Sequence, residues 1–339
     1  MYKSYRAGII GCGNIASEYD PTGVYRITTH AGAYNHVKET KLVALSDINK
    51  DKLNEAGKKW KVDNLYLNYN EMLERENLDI LSICTWSNSH YQILKEATNY
   101  NPKAIFCEKP IANSLKQADK MIKLCKDKNI ILAIGHQRRY DPFHNRIKTF
   151  IDQGNIGTVQ QASFYYSNDI NNFGSHMFDL LRFFFGEVKF VQAYNNSSGG
   201  NLDGLVRFKN GLNTTIQSLN NENYSILDLY VIGSEGALRI NRLGLNLEVY
   251  KVKDSDLLIG YKELLKTKSK IVRKRTKNES PMVRAIEDII DCIENKHSPI
   301  SSGKDGREAL SLICAFHESA MNDGKKIKLP LKTSNVMIN

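Results

Sequence analysis

A glycine-rich turn near the start of the chain is the feature that most constrains the fold. Residues 11–16 (GCGNIA) directly follow the apolar run 7–10, an order that predicts a strand, a tight turn and a helix. In such a unit the peptide N–H groups of the turn converge on one point, where a dinucleotide pyrophosphate binds. Turn geometry alone can also produce the pattern. The candidate cofactor-binding residues of the turn are Gly11, Cys12, Gly13, Asn14 and Ile15.

A lone acidic residue, Asp47, ends the second apolar run. A carboxylate at this place accepts hydrogen bonds from ribose hydroxyls and repels a 2′-phosphate, so it predicts NAD and disfavours NADP. A helix-capping aspartate is the alternative. The carboxylate comes later than the usual ~20 residues after the glycines. The additional residues between the glycines and Asp47 include Asp20-Pro21, which should end the first helix early and leave a loop before a helix restarts around His30.

The first part of the chain, residues 1–135, alternates short apolar runs with helix-like segments, which is typical of parallel strands joined by crossover helices. Asn49 is the predicted cap of a helix that ends at Trp60, and Ser114 is the predicted cap of a second helix. We expect an N-terminal Rossmann domain, an α/β fold with a doubly wound parallel sheet. The predicted strands are residues 7–10, 42–46, 78–84, 104–107 and 130–134.

The remaining residues, 136–339, read as an α+β domain. Strands follow one another without intervening helices, and residues 210–211 (Asn-Gly) and 233–236 are tight-turn signals. We therefore expect a mainly antiparallel sheet. A helix is predicted from His176 to Gly186, another begins at Ser280-Pro281, and the last runs over residues 303–322. These last helices are expected to pack back on the N-terminal domain.

The composition excludes several classes of protein. Hydrophobic residues make up 41% of the chain, and no run approaches the roughly 20 apolar residues of a membrane span. The six cysteines form no Cys-x-x-Cys pair, which favours buried reduced thiols over disulfides or a zinc site. No secretory leader is apparent, so we expect a cytoplasmic protein that has no membrane partner.

The net charge of +10 is concentrated in residues 251–280, where ten Lys and Arg face four Asp and Glu. A solvated face, a site for an anionic substrate or partner, and a nucleic-acid surface are all open interpretations. No helix-turn-helix, zinc finger or aromatic-rich binding sheet accompanies the stretch, so we expect no nucleic-acid partner.

Polar residues follow the third and fourth predicted strands. Ligands of open parallel sheets bind outside the carboxyl ends of the strands, so both segments should face the nicotinamide half of a cofactor. Lys109 ends a buried strand and precedes a proline, a poorly solvated position that makes it a candidate proton-transfer or hydroxyl-binding group. An ordinary ion pair with Glu108 is the alternative. The candidates in these two segments are Thr85, Asn88, His90, Glu108 and Lys109.

Five motifs in chain order resemble the glucose-fructose oxidoreductase/inositol dehydrogenase (Gfo/Idh/MocA) family, and the likeness spans essentially the whole chain. The motifs are the glycine turn at 11–16, Glu108-Lys109-Pro110, residues 135–142 (GHQRRYDP), residues 174–181 (GSHMFDLL) and residues 302–310 (SGKDGREAL).

The resemblance implies that residues 136–339 form an open-sheet domain that binds substrate and whose flat face builds homodimers or homotetramers. It implies that Lys109 lies beside the nicotinamide and the substrate hydroxyl, that His176 is the general acid/base, and that Arg138 lies near the substrate. An imidazole gains and loses a proton near neutral pH, which suits that role, although a helix-start histidine that only packs is the alternative. Tyr224 matches a position that contacts substrate in some relatives, and a core or surface tyrosine is equally compatible with the sequence.

The chain departs from the family pattern at Asn172, four residues before His176, where many of these dehydrogenases carry an aspartate. An amide can orient an imidazole or bind a hydroxyl, but it cannot take up a proton. Either His176 works with Lys109 alone, or Asp169 or Asp179 substitutes for the missing carboxylate. Asp179 follows three residues later on the same helical face, where a structural carboxylate is the alternative.

The resemblance predicts an NAD-dependent enzyme that moves a hydride between nicotinamide and a secondary hydroxyl or keto carbon of a sugar, cyclitol or nucleotide-linked sugar. Two alternatives stay open: a glycosidase of the same fold that uses NAD within its cycle, and a non-catalytic nucleotide-sensing regulator or partner subunit. If the basic stretch folds toward the cleft, a sugar nucleotide is favoured, because its diphosphate suits lysine and arginine.

Overall fold

A computed structural model describes residues 4–20, 27–196, 201–220, 222, 224–274 and 276–338. These residues form two compact units that alternate along the chain. Unit 1 contains the described residues up to 142 and those of 276–310, and unit 2 contains residues 143–274 and 311–338.

Unit 1 is built on a sheet of six parallel strands. The strands are β1 (Tyr5–Ile10), β2 (Thr40–Ser46), β3 (Asn64–Tyr66), β4 (Ile80–Ile83), β5 (Ala104–Cys107) and β6 (Ile131–Ile134). Their order across the sheet is β3-β2-β1-β4-β5-β6. This confirms the predicted doubly wound sheet. The sequence does not predict β3, because its three residues are exposed or only half-buried and form no apolar run.

The helices of unit 1 begin where the capping residues predict. Asn49 accepts N–H bonds from Asp51 and Lys52, and the Ser114 hydroxyl accepts the N–H of Gln117. The first six helices are α1 (His30–His36), α2 (Lys50–Trp60), α3 (Tyr69–Arg75), α4 (Ser87–Ala97), α5 (Leu115–Asp127) and α6 (Gln137–Tyr140), with single turns at Asn14–Glu18 and Thr98–Tyr100. The restart of helical structure at His30 is thereby confirmed.

Unit 2 is built on a sheet of nine strands. They are β7 (Val159–Ser167), β8 (Val188–Asn195), β9 (Leu202–Phe208), β10 (Asn213–Leu219), β11 (Leu227–Gly233), β12 (Gly236–Asn241), β13 (Asn246–Asp254), β14 (Lys262–Thr267) and β15 (Ile327–Lys328). The order is β14-β13-β12-β11-β7-β10-β9-β8-β15. Only the β7–β10 pair is parallel among these described strands, which confirms a mainly antiparallel sheet. Both predicted tight turns join antiparallel neighbours, β9 to β10 and β11 to β12.

Two helices of unit 2 precede and follow its first strand. They are α7 (Pro142–Asp152) and α8 (Ile170–Phe185). The predicted start of α8 at His176 is wrong, since the helix begins six residues earlier. Asp169 caps it by accepting the N–H of Asn171 at 2.9 Å, and Gly186, with φ +86°, ends it as expected.

The chain ends with helices α9 (Pro281–Asn295) and α10 (Gly303–Ala320). The apolar face of α9 belongs to the same buried cluster as β1. Its contributions to that cluster are Met282, Val283, Ala285, Ile286, Ile289 and Ile290. Ser280 is the cap of α9, as predicted.

We expect Ser280→Ala to lower the free energy of unfolding by about 2–4 kcal/mol. The buried Ser280 hydroxyl accepts the N–H of Val283 at 3.3 Å and donates to the carbonyl of Ile27 at 2.7 Å, so the change removes a cap and a buried hydrogen bond. Asn49→Ala, which removes a surface cap of α2, is the matched control and should cost about 1 kcal/mol. Urea unfolding measures the free energy of unfolding of both variants. Equal losses in the two would contradict a contribution from the buried hydrogen bond between Ser280 and Ile27.

Four of the ten cations of the basic stretch lie on β13 and β14, and the other six follow β14 in the sequence. Strand β14 is the edge strand of the unit 2 sheet. Lys262 and Lys266 are exposed on that strand, as are Leu257 and Ile259 in the connecting turn. This placement favours the interpretation as a solvated face. Within the described ranges, no helix has the length and apolar character needed to cross a membrane.

Candidate active site

The glycine turn is fixed by packing at its first glycine and open at its second. Gly11 has φ +89°, and a Cβ there would lie 2.9 Å from the carbonyl carbon and oxygen of Cys84. Gly13 has φ −74°, and a Cβ there would have no neighbour within 4 Å. Only glycine therefore fits the first position, while the second leaves the backbone open to a ligand.

One helical turn, Asn14–Glu18, follows the glycines and stops before Asp20, as the sequence predicts. This turn has a backbone hydrogen bond that joins residues five positions apart, since the N–H of Tyr19 donates to the carbonyl of Asn14 at 3.0 Å. Helix α2 anchors it, because Trp60 Nε1 donates to Ser17 Oγ at 2.8 Å. Residues 21–26 of the predicted loop lie outside the described part of the chain.

Asp47 ties the end of β2 to the turn. Its Oδ2 accepts the N–H of Cys12 at 2.6 Å, and its Oδ1 accepts the N–H of Asn49 at 2.7 Å. Among the described residues, no acceptor lies against the N–H groups of Gly13 or Asn14. These two are the donors that the turn can offer to a pyrophosphate. The Cys12 side chain is a neutral thiol, because burial and the charge of Asp47 raise its pKa to about 12.

The segment after β4 carries three of the predicted residues. Thr85 is half-buried, with its hydroxyl accepting from Ser89 at 2.7 Å, and Asn88 is exposed. His90 is fully buried. Its Nε2 lies 2.9 Å from the Thr85 carbonyl oxygen and its Nδ1 lies 3.0 Å from that of Pro110. His90 therefore links the segments after β4 and β5, and its predicted contact with a cofactor stays a prediction.

Glu108 and Lys109 follow β5. Glu108 is buried, and its Oε2 accepts the backbone N–H of Lys109 at 3.2 Å. Lys109 is half-buried. Burial lowers its pKa, the charge of Glu108 partly offsets this, and the charge of Arg138 on α6 lowers it further. A lysine whose pKa is lowered can donate a hydrogen bond and releases its proton more readily than an exposed lysine.

The parallel sheet gathers these residues at one edge. Strands β2, β1, β4 and β5 lie side by side in this order and run parallel. The residues after their carboxyl ends therefore share one edge of the sheet. Gly13 offers an open backbone, Asp47 a carboxylate and Lys109 a cation there. This donor set fits a dinucleotide whose pyrophosphate meets the turn and whose ribose meets Asp47.

The predicted residues of unit 2 lie mainly on α8. Asn172 is exposed, His176 is half-buried, and Asp179 is buried at 1% exposure. Because α8 begins at Ile170, Asn172 and His176 stand four residues apart on one helical face. Asp169, one of the predicted substitutes for the missing aspartate, is the helix cap. Tyr224 precedes β11 and is 56% exposed.

Sequence reasoning missed the groups that surround Glu108. Its Oε1 lies 3.1 Å from Nε2 of buried His30, and a Cβ on Gly135 would lie 2.6 Å from the same oxygen. The polar character of His30 at the start of a buried helix was the only available signal. Nothing in the spacing of the sequence connects residues 30, 108 and 135.

We expect Asp47→Ser to lower the preference for NAD over NADP by about 10–100-fold, since hydrogen bonds to a charged group contribute about 1.5–3 kcal/mol each and the repulsion of a 2′-phosphate is lost. Fluorescence titration gives both dissociation constants. Asp51→Ser, on the exposed first turn of α2, is the control. A preference that stays unchanged in Asp47→Ser would show that the carboxylate serves only the turn.

Two family models match the chain. The model described as "Oxidoreductase family, NAD-binding Rossmann fold" matches residues 5–136. The model described as "Oxidoreductase family, C-terminal alpha/beta domain" matches residues 171–329. Together they cover most of the chain.

Individual relatives agree with these models. Myo-inositol 2-dehydrogenase of Thermotoga maritima is 26% identical over 350 residues, which cover 96% of this chain and 98% of that protein. D-apiose dehydrogenase of Paraburkholderia graminis is 24% identical over 356 residues, covering 96% and 90%.

A solved structure has the same fold. The WlbA dehydrogenase from Bordetella pertussis, in complex with NADH and UDP-GlcNAcA, matches with a TM-score of 0.77 at 21% identity, covering 97% of this chain and 100% of that one. The six-stranded parallel sheet, the open glycine turn and both family matches lead to one conclusion: the chain belongs to the Gfo/Idh/MocA family of oxidoreductases and carries an NAD-binding Rossmann domain.

Proposed function

We propose that this protein is an NAD-dependent dehydrogenase that oxidises a secondary hydroxyl of a small polyhydroxylated molecule, or reduces the corresponding keto group. One observation carries the proposal. Lys109, whose pKa burial lowers, stands at the same carboxyl edge of the parallel sheet as the glycine turn and Asp47. A regulator that only senses the nucleotide would not need a proton-exchanging lysine at this place.

The cofactor site is assigned to unit 1. The N–H groups of Gly13 and Asn14 bind the pyrophosphate, and the carboxylate of Asp47 binds the adenosine ribose. Thr85 and Asn88 border the nicotinamide half, with His90 holding their segment against Pro110. When bound, NAD supplies the acceptor for a hydride.

The proton chemistry is assigned to two side chains. The imidazole of His176 takes the proton of the substrate hydroxyl, and Lys109 Nζ donates a hydrogen bond to the oxygen as negative charge develops on it. Arg138 is assigned to substrate binding, with Asn172 and Tyr224 as further polar contacts. Buried Asp179, three residues after His176 on the same helical face, is assigned to orienting the His176 side chain.

The substrate class is proposed from the relatives. The names of two relatives state that they act on myo-inositol and D-apiose, and the WlbA structure holds UDP-GlcNAcA. All three compounds carry several hydroxyl groups. We therefore place the substrate among sugars, cyclitols and nucleotide-linked sugars, and we propose a homodimer or homotetramer as the working assembly.

The test is a screen of the purified protein for NADH formation. Inositols, free sugars, sugar acids and nucleotide-activated sugars are each supplied with NAD, and NADH is followed by its absorbance. A dehydrogenase forms NADH in proportion to oxidised product with at least one class. Lys109→Ala, tested on the same compounds, identifies any signal from a contaminating enzyme.

Two additions to the screen, a set of glycosides and an assay for released sugar, separate the other functions. Release of sugar from a glycoside without net NADH indicates a glycosidase that uses NAD within its cycle. NAD binding without turnover of any compound indicates a regulator, a role that the exposed Asn172 in place of a carboxylate would then explain. Either result would overturn the dehydrogenase proposal.

A further inference from the structure

Behind Lys109 lies a line of four buried polar side chains that the proposed proton chemistry does not use. Tyr34 Oη lies 2.7 Å from Ser82 Oγ, which lies 2.9 Å from His30 Nδ1. His30 Nε2 lies 3.1 Å from Glu108 Oε1. Tyr34, Ser82 and His30 are 0% exposed, and Glu108 is 5% exposed. Fully buried polar groups persist only when they are hydrogen-bonded to one another.

With Glu108 ionised and His30 neutral, the line has one consistent set of proton positions. A carboxylate only accepts, so Nε2 of His30 must carry the proton that it donates to Glu108. Nδ1 of a neutral imidazole then accepts from the Ser82 hydroxyl, which in turn accepts from Tyr34. Burial raises the pKa of the Tyr34 phenol, which therefore stays a donor. Every group in the line then has a hydrogen-bond partner.

The opposite direction of hydrogen bonding along the line requires a neutral Glu108. If Nδ1 carries the proton, it donates to Ser82 and leaves a lone pair on Nε2, which repels a carboxylate and suits a carboxylic acid. Ser82 and Tyr34 therefore select between a charged and a neutral Glu108. The observed environment favours the charged form: burial raises the pKa of Glu108, but the hydrogen bond from His30, the charge of a protonated His30 and the charge of Lys109 outweigh it and lower the pKa overall.

The carboxylate has little freedom to move. The absent side chain of Gly135 leaves just enough room for it, since a Cβ there would lie 2.6–3.0 Å from its carboxyl atoms. The ring of Phe106 packs on His30 at a centroid distance of 4.5 Å. One oxygen is thus held by His30 and the other by the N–H of Lys109.

We propose that His30, backed by Ser82 and Tyr34, is a positioning residue that fixes the Glu108 carboxylate and through it controls the charge of Lys109. The consequence for turnover rests on the proposed role of Lys109 in the dehydrogenase reaction. The control of charge itself is a property of unit 1 and needs no substrate.

Other titratable groups face this pair. The charge of Glu108 raises the pKa of three further groups, Cys84, Cys107 and His90. Burial raises the pKa of both thiols and lowers that of His90, so the three are neutral near pH 7. Arg138 is a further charged group beside Lys109, and it keeps its charge at every accessible pH. Glu108 is thus the group in this set that can switch the field at Lys109.

The test measures the pH dependence of Lys109 acylation in the full-length protein without substrate. The neutral amine reacts, so the rate of modification by acetic anhydride, read by mass spectrometry of the Lys109 peptide, reports its protonation. Exposed Lys123 in the same digest is the internal reference. In Glu108→Gln the anion is lost and the pKa of Lys109 falls, so we expect about tenfold faster acylation on the acid side of the wild-type curve, which corresponds to about one pH unit.

His30 is tested by a pair of variants. His30→Leu keeps volume but removes the donor, so Glu108 becomes neutral and Lys109 should shift in the same direction as in Glu108→Gln. His30→Gln supplies an N–H donor and should restore most of the wild-type curve. A wild-type curve in His30→Leu, or an equal shift in both variants, would overturn the proposal.

Ser82→Ala keeps the test decisive if His30→Leu does not fold, because it leaves His30 and its packing in place. Losing the Ser82 hydrogen bond leaves the imidazole less firmly held against Glu108, so we expect acylation to shift the same way by about two- to threefold. No shift in this variant would overturn the proposal. A shift in Lys109 together with no turnover of any compound would uphold the line of side chains and reject the dehydrogenase function.

Discussion

Lys109→Ala is expected to lower kcat by about 10³-fold or more, because it removes a group that supports proton transfer and stabilises developing charge on the substrate oxygen. The dissociation constant for NAD should stay within about threefold of wild type, since the pyrophosphate and ribose contacts are made by other residues. Steady-state NADH formation and fluorescence titration with NAD measure the two quantities on the same preparation.

Two controls interpret the loss. Lys123→Ala removes an exposed lysine that pairs with Asp127 on α5 and should leave both quantities unchanged. Lys109→Arg keeps a positive charge but cannot release its proton, so a large loss in this variant shows that a positive charge alone does not suffice. Turnover by Lys109→Ala within tenfold of wild type would reject the role assigned to this side chain.

Gly11→Ala should reduce the free energy of unfolding by about 2–5 kcal/mol, since it adds strain at a left-handed φ and an overlap with neighbouring backbone. The overlap is with the Cys84 carbonyl at 2.9 Å, and that backbone belongs to the central sheet. Urea unfolding without NAD measures the loss. Binding of NAD is expected to weaken in parallel, because β1 and the segment after β4 both border the turn.

Gly13→Ala is the matched comparison two residues away. Its φ of −74° suits alanine and a Cβ meets nothing within 4 Å, so the free energy of unfolding should stay within about 1 kcal/mol of wild type. Affinity for NAD should nevertheless fall about 10–100-fold, because a methyl group holds the pyrophosphate away from N–H donors worth about 1.5–3 kcal/mol. Equal stability losses in the two variants would contradict the geometry of the turn.

Much of unit 1 was predictable from local pattern. The predicted strand at 104–107 has the same bounds as β5, and Asn49, Ser114 and Ser280 all cap the helices assigned to them. Apolar runs and caps are local signals, so one sequence suffices to find them. The short β3 carries no such signal, and the start of α8 was misplaced because Asn171 and Asn172 are weak helix formers whose position depends on the Asp169 cap.

The candidate site was predictable only where chemistry and strand ends coincide. Asp47, Glu108 and Lys109 each follow a predicted strand, and a parallel sheet brings strand ends together whatever the intervening sequence. His30, Ser82 and Gly135 could not be found in this way. Their relation to Glu108 is set by how α1 packs on the sheet and by how β4 and β6 pair with β5, and no spacing in a single sequence encodes such contacts.

The return of the chain into unit 1 has a consequence for how the protein is made. Tyr5 donates to Glu294 across 289 positions, and α9 completes the apolar cluster around β1. About 140 residues separate Pro142 from Pro281, which takes a ribosome on the order of ten seconds to synthesise. During that interval the nascent Rossmann domain exposes the apolar surface that α9 later covers. We therefore expect the supply of chaperones to limit the yield of the protein in cells.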